Sequence, residues 1–232
     1  MSKSIVKNML ISAILLAAFG GLGTVLVMFT FDSTKEKIEA NEKEILLKNL
    51  NNIIPIDSHS NDLLADQLIV PVDSMLDSKN ATANKNMVIY RAWQGKKPVS
   101  IAFPITTYDG YSGEIKLLIA IAASGKISGV RVISHKETPG LGDKIEIAKN
   151  DWILSFNGKS ILEPVKKQWE VKKDGGIFDQ FSGATITPRA VVTAVYKALD
   201  YFNNNRDKVF LGQAKYDQLT SPNAKHIDNT KK

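Results

Sequence analysis

The chain has 232 residues and no cysteine, which leaves room for one well-packed domain plus appendages and excludes disulfides, thiolate-ligated iron–sulfur clusters, covalent c-type haem and a cysteine nucleophile. His59, His135 and His226 share no ligand spacing, so we expect no metal site, and any electrons must be held on an organic cofactor. The formal net charge of +6 comes from scattered lysines without an aromatic-lined basic face, which predicts a solvated surface near anionic membrane lipid and no binding of nucleic acid.

An uncharged stretch from Met9 to Phe31 is the first predicted element. At about 1.5 Å rise per residue it reaches roughly 34 Å, enough to cross a hydrocarbon core of ~30 Å. A cleaved signal peptide would have a shorter apolar region followed by a small-residue cleavage site, so we interpret residues 9–31 as a retained single-pass transmembrane anchor. The only charged residues in segment 1–8 are lysines, and the positive-inside rule therefore places this segment in the cytoplasm. The rest of the chain would then lie in the periplasm, outside a bacterial inner membrane.

Residues 32–84 are predicted to hold a juxtamembrane helix and a connecting region. Ser33-x-x-Glu36 matches a capping box, which indicates a helix start, and the mostly charged segment after it continues towards Pro55. Beyond Asp57 the chain is rich in Asp, Ser and Asn, with one short apolar run from Leu68 to Val72. We interpret this part as adaptable, and the sequence does not specify its structure.

Residues 85–205 carry close-spaced strand signals and are predicted to form one α+β domain. Short turns separate the apolar runs, which favours a twisted antiparallel sheet packed by helices, with the last two strands as its central hairpin. The predicted strands are Met87–Trp93, Val99–Thr106, Ile115–Ala123 and Ile127–Ser134.

After these strands the pattern predicts a loop, a short helix and one more strand. The loop His135–Asp143 contains two glycines, which permit either close approach to a ligand or a tight turn. Asp143 would cap a short helix through Ala148, and Gln168–Lys172 is predicted to be a strand. Residues 206–232 are interpreted as a polar C-terminal tail, and its lysine-rich part after Phe210 is predicted to fray.

The segment Asp179–Pro188 is a short loop that runs directly into a helix. Thr187 followed by Pro188 is typical of an N-cap and a first helical residue. The first turn of such a helix has unpaired N–H groups and partial positive charge, which suits a phosphate, and Arg189 would add a fixed charge. An ordinary capped helix after a glycine turn explains the same spacing. The face predicted to be buried consists of Val191, Val195, Ala198 and Phe202.

The same loop contains Asp179-x-x-Ser182-Gly183-Ala184-Thr185, which resembles the flavinylation motif read by the bacterial FMN transferase. That enzyme joins FMN to the last threonine of the motif through a phosphodiester. The resemblance therefore implies Thr185, and not Thr187, as the attachment residue. It also implies that the transferase recognises Asp179.

Further motifs extend the resemblance to the family of the G subunit of the Rnf (Rsx) complex, an ion-translocating oxidoreductase that links ferredoxin and NAD. The G subunit of that complex is a single-span periplasmic flavoprotein, and its FMN-binding domain would cover roughly Lys85 to Asn203 here. The motifs that carry this resemblance are Asp109–Gly113, His135–Glu146, Val171–Gly176 and Phe178–Val191.

This resemblance implies an electron carrier that relays electrons through FMN among the other Rnf/Rsx subunits, with the FMN transferase needed for maturation. The chain itself would bind neither NAD nor ferredoxin. It lacks a convincing set of catalytic side chains, so we expect no enzyme in isolation. The implied flavin contacts are Thr185 as the phosphoester, Ser182, Gly183, Ala184 and Thr187 around it, Thr138, Gly140 and Leu141 of the glycine-containing loop, and Lys172 or Lys173 at the polar edge of the flavin.

Two alternatives stay open. The C subunit of the sodium-translocating NADH:quinone oxidoreductase is similar in architecture and carries the same kind of flavin threonine. The runs Thr138-Pro139-Gly140 and Ile186-Thr187-Pro188-Arg189 and the modest length favour the Rnf family. A membrane-anchored scaffold or binding domain without a cofactor belongs to a different class and would show no flavin fluorescence on a denaturing gel.

Overall fold

A computed structural model of the chain describes residues 3–83 and 85–220. The chain forms two units, one up to Leu46 and one from Leu47 onward. What the sequence predicts for Met1, Ser2 and residues 221–232 lies outside the described residues.

Helix α1 runs from Lys3 to Ile53 without a break. It is the one helix in the described part of the chain that is long and apolar enough to span a membrane, and the predicted anchor lies within it. The predicted helix start at Ser33 is wrong, because the backbone is helical on both sides of it and offers no free N–H to cap. Nearby, the hydroxyls of Thr30 and Thr34 donate to carbonyls one turn earlier, each at 2.8 Å.

The unit from Leu47 onward is built on a five-stranded antiparallel sheet, which confirms the α+β prediction. Its strands are β1 (Gln67–Pro71), β2 (Asn86–Gln94), β3 (Lys97–Gly110), β4 (Gly113–Ala122) and β5 (Ile127–His135). The last four confirm the predicted strands, and β1 forms inside the segment interpreted as adaptable. The β4–β5 hairpin is also confirmed, but its predicted central position is wrong. Because β1 adds a strand beside β2, the middle of the sheet is β3 and β5 lies at an edge.

Three further helices follow α1 in the described part of this unit, and the longest one covers the sheet. Helix α2 (Ser78–Thr82) is short, whereas α3 (Ile186–Val209) lies across one face of the sheet and packs mainly against β3. The four residues predicted as the buried face of α3 are all buried. The prediction of a helix packed on the sheet by this face is therefore confirmed.

The end of α1 covers part of the opposite face of the sheet. Leu50, Ile53 and Ile54 are buried there. Gly129 of β5 lies so close to α1 that a Cβ there would be 2.8 Å from Ile53 Cγ2. The last turn of α1 therefore belongs to the core of this unit.

Between β5 and α3 the chain forms 3₁₀ turns in place of the predicted short helix and fifth strand. The helix predicted from Asp143 to Ala148 is a 3₁₀ turn at Gly142–Ile145, and the strand predicted at Gln168–Lys172 is absent from this part of the structure. Gly176 gives the physical reason: a Cβ there would overlap the carbonyl group of Glu170, so the chain folds back too tightly for a strand. An aromatic cluster supplies the core of this segment. Its members are Trp152, Phe156, Trp169, Phe178 and Phe181.

Most of the described tail is helical, so the prediction that the chain frays after Phe210 is wrong for residues 213–220. Helix α3 continues to Val209, and α4 spans Gln213–Thr220. The side chain of Gln213 accepts a hydrogen bond from the N–H of Ile69 at 2.9 Å and donates one to its carbonyl at 3.0 Å. This amide takes the place of a neighbouring strand at the outer edge of β1 and limits pairing with other chains.

Candidate functional site

The motif loop, residues 179–185, closes on itself just before α3. The N–H of Ala184 donates to the carbonyl of Phe181 at 3.1 Å, and Gly183 has a φ of +79°, which favours glycine there. Ser182 and Gly183 are exposed, while Ala184 and Thr185 are half-buried. The loop is held from behind by Trp152, whose ring N–H donates to the carbonyl of Asp179 at 2.7 Å.

Helix α3 begins at Ile186, two residues earlier than predicted. Thr185 is the residue before the helix, has helical dihedral angles and makes no capping hydrogen bond with its side chain. The predicted N-cap, Thr187, is instead fully buried in the first turn, and its hydroxyl donates to the carboxylate of Glu137. That tertiary partner explains why the capping prediction is wrong.

The first turn of α3 offers unpaired backbone donors. Pro188 has no N–H, and the N–H groups of Thr185, Ile186 and Thr187 find no acceptor among the residues that the structure describes. Together with the positive end of the helix dipole, such groups form a favourable environment for an anion. The hydroxyl of Thr185 lies at this point of the surface.

Glu137 joins three segments beneath the loop. Its side chain is buried, and one carboxylate oxygen accepts from the N–H of Ser112 at 2.9 Å, in the turn between β3 and β4. The other oxygen accepts from Thr187. A Cβ at Gly110 would lie 2.8 Å from Glu137 Oε1, and one at Gly142 would lie 2.9 Å from Oε2. Gly142 therefore makes room for the carboxylate, while Gly110 is required first by its own turn, because its Cβ would lie 2.5 Å from the carbonyl oxygen of Gly113.

His135 orients the backbone next to Glu137. Its Nδ1 accepts from the N–H of Glu137 at 2.9 Å, so Nε2 carries the proton and donates to Glu146 Oε1 at 2.6 Å. These side chains fix the start of the glycine loop, which comprises residues 138–142. The imidazole of His135 and the carboxylate of Glu146 are therefore hydrogen-bonded to each other.

The glycine loop lies beside the motif loop, as the resemblance implies. The carbonyl of Thr138 accepts from the N–H groups of Leu141 and Gly142, at 3.2 and 3.1 Å, and Gly140 has a φ of +77°. A Cβ at Gly183 would lie 3.5 Å from Leu141 Cδ2, so the two loops are in contact. Thr138, Gly140 and Leu141 are exposed and available to a ligand.

Two of the basic side chains around the motif loop, those of Lys172 and Arg189, are paired with carboxylates. Lys172 Nζ lies 2.5 Å from Asp179 Oδ1, and the backbone N–H of Lys173 donates to the side chain of Gln180 at 3.3 Å. Arg189 binds both carboxylate oxygens of Asp174, at 2.7 and 3.0 Å. This hydrogen bond from Arg189 lowers the pKa of Asp174, and the same contact raises the pKa of Arg189. The charge of Arg189 is thus directed at Asp174, contrary to the expectation that it serves a phosphate.

The residues present fit a phosphate-linked flavin. A half-buried hydroxyl without a capping bond lies beside unpaired N–H groups, and the side chains of Leu141 and Ile186 are 42% and 45% exposed on either side of the loop contact. Apolar surface of this kind suits a flat aromatic ring. The flavin contacts of the predicted residues stay predictions. Among the residues described, no cluster of three His, Asp or Glu side chains could hold a metal ion.

Sequence reasoning missed Glu137 as a site residue, although it lies inside a motif that carries the resemblance. Its importance depends on Ser112 and Thr187, which are 25 and 50 residues away along the chain. The available signal was the glycine content of two motifs, at residues 110–113 and 140–142; in the structure an added Cβ would crowd a neighbour at Gly110 and at Gly142.

Comparison with known proteins identifies two family models along the chain. The model of the FMN-binding domain matches residues 110–200, and the model of the RnfG N-terminal region matches residues 1–53. Among curated proteins, the G subunit of the ion-translocating oxidoreductase complex of Shewanella loihica is 45% identical over 206 residues, covering 89% of this chain and 93% of its own length. The proteins of the same description from Vibrio cholerae and Pseudoalteromonas atlantica are 45% and 41% identical, covering 85% and 90% of this chain and 92% and 94% of their own lengths.

Among solved structures, the crystal structure of the C subunit of Na(+)-translocating NADH-quinone reductase from Parabacteroides distasonis matches with a TM-score of 0.45 and 21% sequence identity. The match covers 60% of this chain and 75% of that chain.

Proposed function

Because the chain belongs to the family of the G subunit of ion-translocating oxidoreductase (Rnf) complexes, we propose that it carries electrons on an FMN joined by a phosphoester to Thr185. The observation that carries this proposal is the position of the Thr185 hydroxyl, half-buried beside the unpaired N–H groups of the first turn of α3. An esterified phosphate keeps one negative charge, which a helix N-terminus stabilises by about 0.3–1 kcal/mol. FMN supplies the redox chemistry, because it accepts and releases electrons singly or in pairs.

The chain's own residues hold the cofactor and leave it accessible. Ser182, Gly183 and Ala184 keep the loop short and free of bulk around the ester, while Leu141 and Ile186 offer apolar surface to the ring.

Two lysines lie near the recognition carboxylate, and they differ in their pairing. Lys172 is paired with Asp179, so its ammonium shields the carboxylate that the FMN transferase is proposed to recognise. Lys173 is exposed next to it and is the freer of the two lysines to meet the flavin's polar edge.

A covalent tether fits a protein that works outside the cytoplasm. We place the N-terminal segment of α1 in the cytoplasm, the apolar part of α1 in the inner membrane and the FMN-binding domain in the periplasm, where lost flavin would not be replaced. Its partners are then the other subunits of the complex, the transferase during maturation, and membrane lipid. Electron relay among these subunits requires neither an NAD site nor a ferredoxin site on this chain.

The test of the attachment site compares two threonines in one loop. The protein is produced with the FMN transferase, digested, and the peptide spanning residues 182–188 is weighed by mass spectrometry. We expect the mass of one esterified FMN in the wild type and in Thr187→Ser, which keeps the hydroxyl for Glu137, and none in Thr185→Ala. A bare wild-type peptide contradicts the proposal and favours a scaffold without cofactor. A flavin that persists on the peptide in Thr185→Ala contradicts Thr185 as the attachment residue and assigns the ester to another side chain.

The proposed topology can be tested without background, because the chain has no cysteine. Single cysteines replace Lys97, the exposed first residue of β3, or Lys7 in the N-terminal segment. In intact cells a membrane-impermeant maleimide should label Lys97→Cys and leave Lys7→Cys unlabelled until the inner membrane is opened. The reverse pattern would place the flavin domain in the cytoplasm.

A further inference from the structure

We propose that Glu137 is a positioning residue for the flavin, a role that rests on the function proposed above. Its carboxylate fastens the glycine loop and the β3–β4 turn to the first turn of α3. It also places a fixed negative charge next to the attachment threonine.

The burial of the Glu137 carboxylate requires hydrogen-bond donors that compensate the loss of water. The residue is 4% exposed, and burying a carboxylate is costly unless donors compensate it. Both donors come from other segments: the N–H of Ser112 at 2.9 Å and the hydroxyl of Thr187. Removing either donor breaks one of these two links. The side chain of Glu137 therefore joins the start of the glycine loop both to the β3–β4 turn and to the first turn of α3.

Two glycines give an independent indication of the same role. Gly110 and Gly142 approach the carboxylate so closely that a methyl group on either would lie within 2.9 Å of one of its oxygens. At Gly142 the added carbon would also lie 2.9 Å from the hydroxyl of Thr187. The backbone at Gly142 is thus fitted closely against the pair formed by Glu137 and Thr187, and the backbone at Gly110 is fitted against Glu137 as well as its own turn.

The charge of this carboxylate acts on the cofactor in a definite direction. Thr187 follows Thr185 by two residues, so its partner Glu137 lies close behind the attachment site. A negative charge near a flavin disfavours the addition of an electron, and here it opposes the positive end of the α3 dipole. The site tolerates that opposition because an ester bond, and not electrostatic attraction, holds the phosphate. Removing the charge should shift the midpoint potential of the flavin to more positive values.

The experiment uses the full-length protein, produced with the FMN transferase and purified in detergent. Glu137→Gln keeps the shape of the side chain, can still accept from Ser112, and can donate to the oxygen of Thr187, but it has no charge. Asp77→Asn is the matched control, because Asp77 is also a buried carboxylate that accepts from a hydroxyl, on Tyr108, and lies outside the site. Thr187→Val removes the hydroxyl group but keeps the volume of the side chain, whereas Thr187→Ser keeps the hydroxyl group and removes the methyl group. Each variant is measured by spectroelectrochemistry of the flavin and by flavin fluorescence anisotropy.

We expect Glu137→Gln to retain FMN on Thr185 with a more positive midpoint potential, while Asp77→Asn leaves the potential unchanged. Thr187→Val should lower the flavin fluorescence anisotropy, whereas Thr187→Ser should leave it at the wild-type value. If the wild type carries FMN but Glu137→Gln matches Asp77→Asn and Thr187→Val matches Thr187→Ser, the positioning role is overturned and the proposed function stands. If Glu137→Gln does not fold, the two Thr187 variants decide the outcome. A bare Thr185 in the wild type overturns both proposals.

Discussion

Asp77 and Glu137 are both buried carboxylates that accept a hydrogen bond from a hydroxyl group, and they stabilise the protein in different ways. Asp77 precedes α2 and accepts from the backbone and side-chain N–H groups of Asn80, at 3.0 and 2.7 Å, and from the hydroxyl of Tyr108 at 2.9 Å. Two of its three hydrogen bonds thus come from its own turn. Glu137 has two donors, and neither is local.

A buried carboxylate whose hydrogen-bond donors are all distant in sequence, such as Glu137, indicates a functional site, whereas one that caps its own turn, such as Asp77, does not. Asp77 caps a short helix, and although burial opposes its ionisation, the hydrogen bonds from Asn80 and Tyr108 outweigh it and lower the pKa of Asp77. Burial and the contact with Asp77 together raise the pKa of Tyr108 to about 12. Glu137 adds nothing to its own segment's secondary structure; it joins three segments at the place where a ligand is proposed to bind.

The most severe test of this contrast adds one carbon atom beside Glu137. Gly142→Ala places a Cβ 2.9 Å from Glu137 and from Thr187, and such overpacking should lower the free energy of unfolding by about 1–3 kcal/mol. Gly212→Ala is the control, since among the described residues no atom beyond Gly212 and its two chain neighbours lies within 4 Å of the added carbon. Chemical denaturation monitored by tryptophan fluorescence measures both. Equal stability of the two variants would mean that the backbone is not closely fitted around the carboxylate.

Removing the other carboxylate should have a more modest and purely local effect. Asp77→Ala deletes the cap of α2 and should lower the free energy of unfolding by about 1–2 kcal/mol. Because α2 lies outside the flavin site, the mass of the peptide that carries Thr185 and the flavin spectrum should not change. A loss of flavin in Asp77→Ala would show that the two regions are coupled and that the distinction between them fails.

Lowering the pH removes the charge of Asp77 without changing the size of its side chain. In the folded protein the pKa of Asp77 is lowered from its ordinary value of 3.8. The folded state therefore favours the ionised carboxylate, and its stabilising contribution is complete above that pH and lost as the pH falls below it. The difference in urea midpoint between the wild type and Asp77→Asn should narrow between about pH 7 and about pH 3. A difference that stays constant over this range would mean that the charge of Asp77 does not contribute.

Least change is expected for a third carboxylate, on the surface. Asp174 binds Arg189 through both oxygens, but both side chains are solvent-exposed, and exposed ion pairs contribute little. Arg189→Ala should therefore leave the thermal midpoint and the FMN content of Thr185 unchanged. A drop in FMN content alone would instead assign Arg189 to the phosphate, as the sequence suggested.

The elements that could be predicted from sequence are those whose stabilising partners are local or repetitive. Apolar runs separated by short turns predicted β2 to β5, and the 3.6-residue period predicted α3. The strand β1 was missed because it is short and alternates exposed and buried residues in a polar region, with its edge completed by Gln213, which is 144 residues away.

In the site, local rules failed where a distant residue competes with them. Thr187 satisfies the sequence rule for an N-cap, yet its hydroxyl binds Glu137 and the helix begins earlier. Thr185 was identified through resemblance to a known motif, because spacing alone fits an ordinary helix start equally well. Lys172 was implied by the resemblance and Arg189 by its charge beside the helix start, and their carboxylate partners are visible only in three dimensions.

The burial of the last turn of α1 determines how this protein can be shortened for work in solution. A fragment limited to residues 85–205 would lose Leu50, Ile53 and Ile54, uncover apolar atoms on the back of β4 and β5, and leave the β2 edge bare where β1 should pair. Such a fragment would be prone to aggregate. A fragment that starts at or before Leu47 keeps that cover, and crystallisation trials of the soluble part should begin there.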